Sequence, residues 1–171
     1  MGILNVLFGG GSKNSDIRQF TKELDQRERD FKKRESYEKE MRPVFNQYST
    51  CLDYINHNWS KLYHSKNYNS KLSKNIEKKC WEAINYYEDL QIIDMKHGEE
   101  GLRGSKAFMK LALLYERRGD FESGIEVCKK AIYLNVDESG RMKSLIKKAK
   151  RDPTEEELRI INDITAQSDY K

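Results

Sequence analysis

The chain has 171 residues, of which 37% are hydrophobic and 35% charged, and its 32 basic and 28 acidic side chains leave a net charge of +4. That length fits one domain with extensions better than two full domains, and an aromatic content of 11% is too high for a wholly disordered chain. Near-balanced charge describes a solvated helical surface rather than a whole-chain nucleic-acid binder, and only two prolines and ten glycines argue against a many-turned β architecture.

The N-terminal run contains Ile3, Leu4, Val6, Leu7 and Phe8, followed by Gly9-Gly10-Gly11. It is too short for the apolar core of a signal peptide, and Val6 stands where a myristoylation signal requires Ser or Thr. Residues 1–14 read as a sticky apolar segment and a glycine-rich linker. Docking onto protein is expected of the segment, with attachment to a membrane surface the weaker alternative.

A long charged helix is expected over 15–42, with Ser15 as its N-cap. Ile17, Leu24 and Phe31 recur every seven residues, but the next position is Glu38, and the other seam position reads Phe20, Arg27, Arg34, Met41. A strong coiled coil carries apolar residues at both seam positions. The helix is therefore expected to lie against the rest of the chain, with homo-oligomerisation through 15–42 as the lesser alternative.

Pro43 suits a first-turn position, so a second helix is expected to start there. Val44, Tyr48, Cys51, Leu52, Ile55 and Trp59 give its apolar face and Tyr63 closes the stripe. After a loop in HSKNYNS, a helix is expected over about 70–96, carrying Leu72, Ile76, Cys80, Trp81, Ile84, Leu90 and Ile93 and ended by Gly98 and Gly101. Helices over about 105–118 and 120–134 flank Gly119. A basic helix over 138–150 comes next, then a last helix in TEEELRIINDI after the start signal Asp152-Pro153. Residues 165–171 read as a frayed tail.

The stretch SKAFMKLALLYERRGDFESGIEVCKKAIYLNV, residues 105–136, carries a pattern of large and small residues. Phe108, Leu111, Tyr115 and Phe121 are large; Ala112, Gly124 and Ala131 are small enough for two helices to approach closely. Gly119 permits the left-handed backbone of a tight turn. This pattern resembles a tetratricopeptide repeat, a helix–turn–helix unit of about 34 residues, although Val136 stands where the family usually has proline. The resemblance implies an all-α fold of helical hairpins stacked in a short right-handed superhelix, with the domain spanning 43–164. It also implies that the first helix of the hairpin lines a ligand-binding groove, which by position points to Lys106, Met109, Lys110, Leu113, Glu116 and Arg117. Leu113 stands where carboxylate-clamp members carry Asn. The groove is thus expected to suit an amphipathic or acidic peptide, unless Met109 and Leu113 simply pack on the chain's own helices.

Chemistry is harder to find. Gly9-Gly10-Gly11-Ser12-Lys13 lacks the spacing of a phosphate-binding loop. His57 and His64 have no ligand pattern around them. Cys51, Cys80 and Cys128 are odd in number and far apart, as befits free thiols in a reducing compartment. No catalytic residue, metal or cofactor is expected. The chain reads as a cytoplasmic, non-catalytic scaffold or adaptor that binds a protein or peptide. Two rivals remain: a nucleic-acid-associated regulator using Arg141, Lys143, Lys147, Lys148 and Arg151, with TEEE weakening that field, and a peripheral membrane scaffold using residues 2–8.

Overall fold

A computed structural model describes residues 12–101 and 104–168, without the side chains of 12–17 and 164–168. The apolar segment 2–8 and the last residues of the tail lie outside the described residues. The described residues form six α-helices and no strand: α1 (Ser12–Ser65), α2 (Lys71–His97), α3 (Lys106–Arg118), α4 (Phe121–Tyr133), α5 (Ser139–Ala149) and α6 (Glu155–Ser168). The all-α fold class is therefore what the molecule adopts. The chain divides into two units at Glu40/Met41.

The first unit holds the N-terminal part of α1. Of its apolar stripe, Phe20, Leu24 and Phe31 are 61%, 46% and 67% exposed. Exposed pairs one turn apart brace this stretch, Glu28 with Lys32 at 2.6 Å and Arg34 with Glu38 at 3.2 Å, each worth a few tenths of a kcal/mol.

No new helix begins at Pro43, because α1 runs through it. Pro43 has no N–H to give the Lys39 carbonyl; both residues are exposed, so water can take that oxygen. The helix also starts earlier than expected, at Ser12.

In the second unit the apolar faces meet. Tyr48, Cys51 and Ile55 of α1 are buried as expected, but Leu62, not Tyr63, closes the stripe: Leu62 is 1% exposed and Tyr63 53%. An aromatic series joins three helices, with Tyr48 to Tyr87 at 6.1 Å and Tyr87 to Phe108 edge-on at 5.9 Å. The Tyr48 hydroxyl donates to Ser105 Oγ at 3.1 Å, and the same oxygen caps α3 by accepting from the Ala107 N–H. Ser70 caps α2 and Asp120 caps α4. Gly98 and Gly119 close α2 and α3 in the left-handed conformation, at φ 68° and 78°.

The α3–α4 hairpin nests through its small residues. Ala112 and Ala131 have no exposed surface, Gly124 is buried, and Phe108 and Leu111 fill the space around them. A Cβ on Gly124 would sit 3.0 Å from Leu145 Cδ1, so this glycine also sets how closely α5 approaches. Val136 explains its own departure from proline: its N–H donates to the Ala131 carbonyl at 2.9 Å behind Asn135 at φ 59°, a bond proline cannot make. Met142, Leu145 and Ile146 of α5 are buried against this hairpin.

The last helix is capped differently from the expectation. Thr154, not Asp152, closes its start: Thr154 Oγ1 accepts from the Glu157 N–H at 3.3 Å, and Glu157 Oε2 accepts from the Thr154 N–H at 2.8 Å. This reciprocal pair satisfies two end donors at once. The helix continues to Ser168, past the expected onset of fraying at 165.

Candidate functional site

The six residues expected to line a groove all lie on α3, but they do not act together. Lys106 and Arg117 are exposed, and Leu113 is half-buried. Lys110 turns toward α1: its Nζ donates to Asn56 Oδ1 at 2.7 Å and lies 5.3 Å from the centre of the Trp59 ring. Burial lowers the pKa of this ammonium, and the charge of Lys106 acts in the same direction. Glu116 turns the other way and bridges two cations of α5, Arg141 at 3.2 Å and Lys148. Met109 stays 38% exposed.

Met109 and Glu116 open onto a depression of about 510 Å³ between α3 and the start of α5, completed by Asp137, Glu138, Gly140, Arg141 and Ser144. Its chemistry is mostly anionic. Asp137 accepts from the Ser139 hydroxyl at 2.7 Å and from the Ser139 N–H at 3.0 Å, and these bonds hold its carboxyl below the usual range. Burial pushes Glu138 upward while Arg141, 3.4 Å away, opposes it. Three carboxylates and the Arg141 guanidinium therefore line it, with Lys148 also paired to Glu116 and Met109 as an adaptable apolar contact.

The sequence reading missed Asp137, Glu138 and Ser144. The local signal was present in Asp137 and Ser139, a side-chain-to-backbone turn before a helix, but it marks a helix start and carries no hint of what lies across from it.

The remaining polar clusters are tied up between helices. Arg118 donates to Glu77 at 2.5 Å, to the Tyr68 carbonyl at 2.8 Å and to Ser73 Oγ at 2.8 Å, while Tyr115 donates to Glu77 at 2.8 Å. Arg151 holds Glu122 at 2.7 and 2.8 Å and Glu157 at 2.8 Å through both oxygens. The Arg151 guanidinium draws the 1%-exposed Glu157 carboxyl down to about 2. Arg141, Lys148 and Arg151 thus spend their charge on carboxylates of the same chain.

His57 and His64 are exposed and hydrogen-bonded within α1, to Lys61 and to the Ser60 carbonyl. Cys51, Cys80 and Cys128 are free and buried, and burial pushes Cys80 and Cys128 up to about 12; a thiol so placed is a poor nucleophile. Among the described residues, no helix is long and apolar enough to cross a membrane. Comparison with protein-family models, with curated proteins and with solved structures found no match.

Proposed function

We propose that this chain is a non-catalytic peptide-binding module that takes a basic, amphipathic segment into the depression between α3 and α5. The observation that carries the reading is that open space of about 510 Å³, walled by Met109 and by Glu116, Asp137 and Glu138. The tetratricopeptide-like pattern of residues 105–136 supports the same face. In that architecture the first helices of successive hairpins line the groove, and on this reading α3 and α5 would be those helices. The ligand's apolar side would rest on Met109 and the half-buried Leu113, and its cations would meet Asp137 first and compete with Arg141 and Lys148 for Glu116 and Glu138. Against a nucleic-acid role, three of the five cations it requires already pair with carboxylates of the chain.

A panel of short helical peptides, basic, acidic and neutral, tests this by fluorescence anisotropy against the full chain. Basic amphipathic peptides should bind most tightly. Met109→Arg, at an exposed position, should weaken them by roughly tenfold or more with an unchanged unfolding midpoint. Preference for acidic peptides, or equal binding by the variant, would overturn the proposal.

A further inference from the structure

The exposed stripe of α1 carries a repeated unit that the groove does not use. Leu24 is followed by Arg27 and Glu28, and Phe31 by Arg34 and Glu35, with the same spacing in both heptads. On a helix turning about 100° per residue, the third position falls about 60° to one side of the apolar residue and the fourth about 40° to the other. One side of the stripe thus carries Arg27 and Arg34, with Glu23 and Asp30 further round, and the other carries the acidic rim of Glu28 and Glu35. Phe20 extends the apolar series toward the N-terminus, and Phe20, Leu24 and Phe31 are all exposed.

We infer that residues 20–38 pair with the same residues of a second copy of this chain as a parallel, in-register, two-stranded coiled coil. A two-fold axis running along two parallel helices sets Glu28 and Glu35 of each beside Arg27 and Arg34 of the other at the same height. An antiparallel pair instead sets acid against acid and base against base. Parallel pairing stacks Leu24 on Leu24 and Phe31 on Phe31, a seven-residue repeat that matches a supercoil rather than a straight helix. Arg27 and Arg34 occupy the second seam position, where each can reach the neighbouring Glu28 or Glu35 of the other copy. Their cost to packing makes the association weak, while their charge fixes direction and register. The intrahelical pairs Glu28–Lys32 and Arg34–Glu38 are exposed, and such pairs yield readily to new partners. This inference does not depend on the α3–α5 groove.

Sedimentation equilibrium of the full chain, from micromolar to hundreds of micromolar, should show a monomer becoming a dimer. Leu24→Asp with Phe31→Asp should leave a monomer with unchanged helicity in residues 41–168 and unchanged peptide binding. Glu28→Arg with Glu35→Arg sets cations beside Arg27 and Arg34 of the other copy and should weaken pairing by at least about tenfold; adding Arg27→Glu and Arg34→Glu should restore it. Because the native cysteines are buried, Leu24→Cys reports direction: a parallel pair should form an intermolecular disulfide on mild oxidation. A monomer at all concentrations, a dimer that survives the double Asp variant, or a dimer without that cross-link would overturn the inference.

Discussion

The two parts of α1 differ both in composition and in what covers them: residues 15–40 are densely charged, whereas residues 41–65 carry only Arg42, Asp53 and Lys61 among Asp, Glu, Lys and Arg. Before Glu40 the helix carries Phe20, Leu24 and Phe31 in water; beyond Met41 it carries Tyr48, Cys51, Ile55 and Leu62, each no more than 6% exposed. A stripe of period seven meets no neighbour of its own unit, whereas a broader face meets α2 and α3 through the Tyr48–Tyr87–Phe108 rings. Helical propensity and short-range ion pairs suffice to write a helix, but stability on the scale of a fold comes from the faces that are buried.

The sharpest way to break that contrast is to remove one ring from each part. Phe108→Ala should destabilise the body by about 3–5 kcal/mol in chemical unfolding, because the ring is fully buried and its cavity cannot collapse. Phe31→Ala should change the same transition by less than about 0.5 kcal/mol. Next in size is Arg118→Met, which leaves Glu77 with the Tyr115 hydroxyl but without its cation, and takes the guanidinium donor from the Tyr68 carbonyl. A loss of about 2–3 kcal/mol is expected by urea titration. The α3–α4–α5 contact can be stressed at Gly124. Gly124→Val drives a branched side chain into Leu145 and the Ala112 carbonyl and should lower stability by about 1–3 kcal/mol, measured as a shift in the thermal midpoint.

Acid probes the smallest of these effects. The Glu157 carboxyl is lowered from 4.5 to about 2 by Arg151. A depressed carboxyl contributes stability that is fully present above its unfolded value and fades as pH falls through its folded one. Wild-type stability should therefore decline between pH 4.5 and 2, with Glu157→Gln removing about 1–2 kcal/mol of that dependence. A variant with the wild-type pH profile would mean that the Arg151–Glu157 contact does not hold α6 in place.

Much of the fold was legible because helix ends are written locally. Ser70, Ser105, Asp120, Gly98 and Gly119 act as caps where hydroxyl, carboxylate or left-handed glycine is needed. Small residues at 112, 124 and 131 likewise announced a close helix pair. Pro43 misled because proline forbids one hydrogen bond, not a helix, and an exposed carbonyl tolerates the loss. Tyr63 misled because periodicity does not separate adjacent residues at a stripe's end, where Leu62 takes the core. The depression beside α3 was half legible: α3 supplies Met109 and Glu116, but Asp137, Glu138 and Ser144 come from a turn and helix more than twenty residues on. The diversion of Lys110 to Asn56 and Trp59 likewise depends on tertiary placement.

Native-state hydrogen exchange of the full chain, followed by mass spectrometry at two protein concentrations, tests the central contrast most directly. Residues 107–131, at the nested α3–α4 hairpin, should exchange only through global unfolding and be indifferent to concentration. Residues 20–38 should exchange quickly in dilute protein and slow down in concentrated protein as the seam finds its second copy. Equal protection of the two segments in dilute protein, or an α3–α4 hairpin that exchanges as fast as the seam, would contradict the account.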